Sequence, residues 1–169
     1  MEKLTIEKLR EYLKYNPTTG NFVWLKKAAN NTKLNQPIIG SITSSGYVKI
    51  RFLRKQYVAH RLAWLYMTGS WPKEEIDHIN HVRWDNRWTN LRAATRQQQS
   101  ACARLSSNNL CGYRGVSWDS RCEKWFGRIK YNGEVTYLGH YDNKEDAAFA
   151  YNVKAKEFFG EFAYENEIY

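Results

Sequence analysis

Two runs decide how this chain is read: Glu75-Ile76-Asp77-His78-Ile79-Asn80 and, four residues later, Asp85-Asn86-Arg87-Trp88-Thr89-Asn90-Leu91-Arg92. They hold the densest cluster of carboxylate, imidazole and amide side chains in the sequence. Successive side chains leave opposite faces of a strand, so Asp77 and His78 serve one substrate only where a strand ends at the site. A carboxylate can hold a hard cation such as Mg²⁺ against a phosphate oxygen. A neutral imidazole beside it can take a proton from water. Phosphodiester hydrolysis needs those two things, an activated water and stabilised charge on the phosphate and leaving oxygen. An isolated Asp-His pair near a basic surface is more often a structural ion pair, so the dipeptide alone decides nothing.

The charge around these runs points to a polyanionic partner. The 169 residues carry 26 Lys and Arg against 17 Asp and Glu, a net +9 with a pI near 9.5. Between Glu11 and Glu74 there is no acid, while ten basic residues occur, among them Lys49, Arg51, Arg54, Lys55 and Arg61. These five are candidate phosphate contacts. Residues 1–110 hold 18 basic and 7 acidic groups (+11), whereas residues 111–169 hold 8 and 10 (−2). That contrast, with the turn-prone Ser106-Ser107-Asn108-Asn109 between, places a domain boundary near 105–111. Seven Trp and twelve Tyr exceed what a small core absorbs, so some rings are expected at a binding surface.

No apolar run reaches the roughly 18 residues of a membrane helix, and the polar, amphipathic start is unlike a signal peptide. A soluble, cytoplasmic protein is expected. Cys102, Cys111 and Cys122 are odd in number and lack CxxC spacing, so free thiols are expected and no zinc site.

Working outward, Thr5 is placed to cap a short helix, with Leu4 and Leu9 as its hydrophobic staple. Asn16 to Gly20 reads as a turn. Val48, Ile50 and Phe52 alternate with basic residues as a half-buried strand, followed by a turn at Arg54-Lys55, a return strand at Tyr57 and a helix over His60 to Met67 stopped by Gly69. Beyond residue 110 the pattern is strand, strand, strand, helix: Tyr113 to Trp118, Lys124 to Tyr131 and Val135 to Leu138, with a hairpin turn at Asn132-Gly133, then a helix from Lys144 to Phe159 ended by Gly160. The class is α+β.

The string E-I-D-H-I-N with D-N-R-W-T-N-L-R-A-A-T-R-Q-Q-Q resembles the HNH nucleases of phage and bacterial homing-type endonucleases, as do HRLAW at 60–64, Thr68-Gly69 and Trp71-Pro72. The resemblance covers most of residues 1–105, giving a nuclease domain at 1–107. It implies a ββα-metal element in which Asp77 is a metal ligand, His78 the general base and Asn90 the residue orienting that base. The second ligand, commonly His or Asn, falls on Gln99, a departure that adds one methylene. The implied cofactor is a divalent ion, Mg²⁺ first and Mn²⁺ second. His81 stands where the motif commonly has Gly and is given no role. His60, ahead of an apolar helix, is read as a packing or capping residue.

Tyr113-Arg114-Gly115-Val116, Lys124 to Ile129, Tyr137-Leu138-Gly139 and Ala147 to Tyr151 resemble the DNA-binding domain of plant ethylene-response factors, the Apetala-two domain, across residues 111–164 of a second domain at 111–169. In that family a three-stranded sheet enters the DNA major groove. The resemblance implies Arg114, Trp118, Lys124, Trp125, Arg128, Lys130 and Tyr137 as DNA contacts. Arg128 stands where plant members usually have Glu and Tyr137 where they have Trp, so base preference does not transfer. His140 lies in the second half beyond any acidic partner and is read as structural.

Together these readings describe a metal-dependent endonuclease acting on double-stranded DNA in a bacterial or phage-infected cell, with no membrane partner. The contrasting readings are a catalytically inactive DNA-binding regulator, in which Gln99 marks a lost metal site, and an RNA-binding module that stacks bases on its aromatics. One HNH site cuts one strand per encounter, so a double-strand break needs a dimer or a second binding event, and a monomer is equally compatible.

Overall fold

The chain splits into two units, Met1–Ala94 and Thr95–Tyr169, in the computed structural model, which describes residues 4–28, 32–103, 105 and 108–169. Ser106 and Ser107 of the expected linker lie outside the described residues.

In the first unit, helix α1 (Ile6–Tyr12) begins where Thr5 Oγ1 accepts the Lys8 N–H at 3.3 Å, and Leu4 and Leu9 are both buried in the adjoining core. Strands β1 (Leu13–Tyr15) and β2 (Phe22–Trp24) pair antiparallel across the Asn16–Gly20 turn, whose Asn16 side chain accepts from the Thr18 and Thr19 N–H groups. A short β3 (Ser41–Ile42), β4 (Val48–Phe52) and β5 (Lys55–Val58) form an antiparallel sheet. Ile50 and Phe52 are buried while Arg51 faces outward, the alternation expected of a half-buried strand. The β4–β5 turn is one residue earlier than expected. Leu53 and Arg54 both take positive φ, 47° and 63°, and Lys55 already pairs with Phe52. A two-residue hairpin needs that left-handed pair to match strand twist, and neither residue advertises it.

Helix α2 (Ala59–Thr68) follows without a break and ends on Gly69 in the left-handed conformation. It buries Leu62, Ala63 and Leu65 against Leu9, Leu13, Phe22 and Phe52, the bulkiest part of the core. Ile76 and Leu91 enter the same cluster from β6 (Glu75–His78) and β7 (Leu91–Ala94), an antiparallel pair.

In the second unit, Thr95 caps α3 (Arg96–Cys102) with a reciprocal capping box to Gln98. Strands β8 (Val116–Asp119), β9 (Lys124–Tyr131) and β10 (Glu134–Tyr141) form an antiparallel sheet in the order β10-β9-β8, and α4 (Lys144–Phe159) covers one face. Asn132 and Gly133 have φ of 50° and 90°, as the two-residue turn requires. Val116 packs with Ala147 and Ala148, and Ile129 with Tyr151 and Ala155, so α4 meets the sheet through small residues that allow close approach. The α+β class is the one expected. Helix α3 lies with the second unit because the Arg114 guanidinium donates to the carbonyls of Ser100, Ala101 and Ala103 at its C-terminal end.

Candidate active site

The two decisive runs of sequence become one hairpin and its loop. Asp77 pairs with Arg92 and His78 with Leu91 across β6 and β7. Because Ile76 is locked into the core at 2 % exposure, Asp77 must leave the opposite face. There its carboxylate accepts from Arg92 Nε at 2.8 Å. Strand β6 stops at His78, so both groups sit at a strand end, and both are buried. The condition set by strand geometry for one shared site is met.

His78 is held by three side chains. Its Nε2 lies 3.5 Å from Asn86 Oδ1, the Tyr47 ring is 5.9 Å away, and the His60 ring meets it edge-on at 5.1 Å. Asn86 Nδ2 already donates to the Trp84 carbonyl, so its Oδ1 can only accept. The tautomer that uses this contact carries its proton on Nε2 and leaves Nδ1 with the lone pair. Burial lowers the His78 pKa from its ordinary value, opposed by Asn86 and the nearby carboxylates of Asp77 and Asp85, so the imidazole is neutral at pH 7. A neutral imidazole with one oriented nitrogen is the form a general base needs.

His60 packs in the wall of this site between Tyr47 and His78, with ring centroids 5.1 Å from each. Burial, then the charges of His78 and Arg61, push its pKa down to about 3. Its Nδ1 is buried without a hydrogen-bond partner among the described residues.

The loop between β6 and β7 is closed by its own polar groups. Asn90 Oδ1 accepts the Asn80 N–H at 2.9 Å and Asn90 Nδ2 donates to the Asp85 carbonyl at 2.8 Å. The amide of Asn90 is therefore placed on the loop backbone, and Asn86 is the amide beside the imidazole. Asp85 takes Arg87 through Nε at 2.9 Å and Nη2 at 2.6 Å, which holds its carboxyl at about 2, and accepts Asn80 Nδ2 at 2.7 Å. From outside, Tyr15 Oη donates to the Asn86 carbonyl at 2.6 Å and Trp88 N–H donates to the Pro17 carbonyl at 2.9 Å. Gly20 approaches so closely, with φ +75°, that a Cβ there would lie 2.5 Å from the Asn86 carbonyl carbon. His81 sits in the left-handed region at φ 59°, which explains why Gly suits this position in the resembled motif.

The remaining candidates are placed as follows. Gln99 lies on α3 in the second unit; the neighbouring Gln98 is occupied by the Thr95 capping box. In the first unit Arg51, Arg54 and Lys55 are exposed, and Lys49 and Arg61 half-buried. On the sheet, Arg128, Lys130 and Tyr137 lie on the face away from α4 and are exposed, with half-buried Lys124 beside them. Trp125 is on the α4 side, packed against the Val116–Ala147–Ala148 cluster, and Trp118 rests on it at 5.2 Å with 49 % of its surface exposed. The Arg114 guanidinium lies over the Tyr164 ring at 4.8 Å while it binds the end of α3. His140 does have an acidic neighbour, contrary to expectation: strand pairing brings its Nε2 to 3.6 Å from Asp119. Sequence reasoning missed Asn86, Tyr47 and Arg92. Only Arg92 left a signal, as the residue that a two-stranded pairing puts opposite Asp77.

No helix among the described residues is long and apolar enough to cross a membrane. All three cysteines are free thiols.

Residues 57–101 match the HNH endonuclease family, a span that takes in α2, β6, the loop, β7 and most of α3. The chain is 34% identical over 125 residues to the uncharacterized HNH endonuclease L560 of Acanthamoeba polyphaga mimivirus, covering 73% of this chain and 64% of that protein. It is also 30% identical over 105 residues to Protein 3.8 of Escherichia phage T7, covering 62% of this chain and 86% of that protein. With an Asp-His pair ending one strand of a hairpin inside the matched span, residues 57–101 form an HNH endonuclease domain, and the chain spans just under two thirds of the mimivirus relative.

Proposed function

We propose that the protein is a divalent-metal-dependent endonuclease that hydrolyses phosphodiester bonds in double-stranded DNA. The observation that carries this reading is the buried strand end at Asp77 and His78, with a neutral imidazole whose Nε2–H is spent on Asn86. Nδ1 then takes the proton of the attacking water. Asp77 would hold the metal, and Gln99 is the second ligand that the resemblance alone implies. A carboxylate and an amide oxygen suit Mg²⁺ or Mn²⁺ and leave further positions for water and phosphate. When bound, the ion stabilises charge on the scissile phosphate and the leaving oxygen. Arg92 keeps the Asp77 carboxylate fixed in the absence of other cations. Asn90 acts at one remove, closing the loop that carries Asn86.

The same reading assigns residues 1–107 to the nuclease region and residues 111–169 to a DNA-binding domain of the ethylene-response-factor type. Lys49, Arg51, Arg54, Lys55 and Arg61 supply phosphate contacts. Lys124, Arg128, Lys130 and Tyr137 form the groove-facing stripe of the sheet. Trp118 and Trp125 sit opposite each other on the α4 side of β8 and β9, Trp118 at the exposed edge, and Arg114 anchors the end of α3. The viral relatives favour a homing-type or phage-borne nuclease acting in the cytoplasm of its host. Incubating the protein with duplex DNA, with and without Mg²⁺, tests the proposal: cleavage that requires Mg²⁺ supports it. Tight binding without cleavage in any divalent metal would make the protein a DNA-binding regulator instead, and preference for single-stranded RNA would overturn the substrate assignment.

A further inference from the structure

The hairpin between β8 and β9 gathers three metal-ligating side chains that sequence spacing does not announce. Asp119 ends β8 and pairs with Lys124, so residues 120–123 form a tight turn, in which Glu123 takes a positive φ of 52°. The turn brings Cys122 back over Asp119. On the other side of β9, His140 pairs with Phe126, which itself pairs with Ser117, two residues before Asp119 on the same face of β8. The ligand atoms of Asp119, Cys122 and His140 all lie within 4.8 Å of one another.

We propose that Asp119, Cys122 and His140 bind a zinc ion that clips the β8–β9 turn to β10. A tetrahedral ion with ligand bonds of about 2.0 to 2.3 Å spaces its ligands about 3.3 to 3.8 Å apart. The observed spread therefore needs an inward movement of about 1 Å. Cys122 is exposed at a turn and free to make it. The two other ligands are already oriented. Asp119 Oδ1 accepts the Arg121 N–H at 3.0 Å, which turns Oδ2 toward His140, and the His140 ring rests against Phe126 at 6.0 Å. Such outer contacts are what fix the geometry of ligating carboxylates and imidazoles.

The donor set selects the metal. One thiolate, one imidazole and one carboxylate suit Zn²⁺ and offer little to Mg²⁺, which prefers oxygen ligands. Three protein ligands leave the fourth position to water or to an incoming group. On binding, the Cys122 thiol releases its proton to solvent, and the two negative ligands neutralise the ion. The site lies on the sheet face that carries Lys124, Arg128 and Lys130. An ion there replaces the half-buried Asp119 carboxylate by a neutral cluster and stiffens one end of that face.

The test is a titration of the full-length, metal-stripped protein with Co²⁺, followed by absorption spectroscopy and then by displacement with Zn²⁺. A thiolate-to-cobalt charge-transfer band that saturates at one equivalent and disappears on adding Zn²⁺ is expected. Cys122→Ser should abolish that band, and His140→Ala should lower the affinity at least tenfold. The Asp77 and His78 site contains no thiol, so the band reads this cluster and not the active site. Absence of the band, or its persistence in Cys122→Ser through Cys102 or Cys111, would overturn the proposal. Equal Co²⁺ affinity in wild type and His140→Ala would remove His140 from the site and leave no zinc clip.

Discussion

The His60 imidazole meets that of His78 edge-on, with ring centroids 5.1 Å apart and ring planes at 88°. Both rings are buried, and burial lowers the pKa of each, that of His60 to about 3. Unfolding returns both to the ordinary range near 6.5, so between those limits the unfolded chain binds more protons than the folded one. The His60 contribution is therefore full above about pH 6.5 and falls as the pH drops toward 3, by up to about 1.4 kcal/mol per pH unit, and His78 acts in the same direction. His60→Phe should flatten that slope. Urea unfolding at pH 4.5 and pH 7 measures it, and an equal slope in wild type and His60→Phe would contradict the buried neutral state.

The loop that carries Asn86 depends on a residue 71 positions earlier, since Tyr15 Oη donates to the Asn86 carbonyl. Tyr15→Phe leaves that buried carbonyl without its partner and should cost about 1 to 3 kcal/mol. Gly20→Ala should cost more, because its Cβ would collide with the Asn86 backbone and the left-handed φ is strained for Ala. Both variants should lose cleavage faster than they lose DNA affinity. The paired measurements are chemical denaturation and single-turnover cleavage, and unaltered cleavage in a destabilised Gly20→Ala protein would uncouple the loop from His78.

His81→Gly should act in the opposite direction. The residue holds φ 59°, a conformation that costs an L side chain about 1 to 2 kcal/mol. Removing the side chain should raise stability by about 1 kcal/mol, less the greater freedom of Gly in the unfolded chain. A thermal midpoint that falls on this substitution would show that the His81 side chain makes a contact worth more than the strain.

What the sequence made legible was local. Thr5 capping α1, Gly69 ending α2, Asn132-Gly133 turning β9 into β10 and the uninterrupted α4 are each specified by residues adjacent to the feature they make. Asp77 and His78 were legible because their chemistry and their place at a strand end are adjacent too. What was hidden depends on residues that meet only after folding. Asn90 and Asn86 are both amides of one loop, and only the closed loop shows that Asn90 binds backbone while Asn86 faces the imidazole. Trp125 and Arg128 belong to one strand, and the side that α4 covers decides that the first packs and the second stays exposed. Arg114 reads as a DNA contact by type, yet it binds the carbonyls that end α3, which no local pattern announces. Asp119 and His140 are brought together by strand register across β9.

The basic block before Glu74 should dominate binding. If Lys49 and Arg51 contact phosphates, DNA affinity falls with salt with a log–log slope near −0.9 per phosphate, and the double substitution Lys49→Ala, Arg51→Ala should reduce that slope by about 2. Fluorescence anisotropy with duplex DNA across a range of salt concentrations measures it. An unchanged slope would move the phosphate contacts elsewhere.

His78→Ala tests the central claim most directly. With wild type and variant compared under single-turnover conditions in Mg²⁺ on the same duplex, and DNA affinity measured in parallel, loss of the general base should slow cleavage by at least about 10²-fold and leave affinity nearly unchanged. Cleavage by His78→Ala at the wild-type rate would contradict the account.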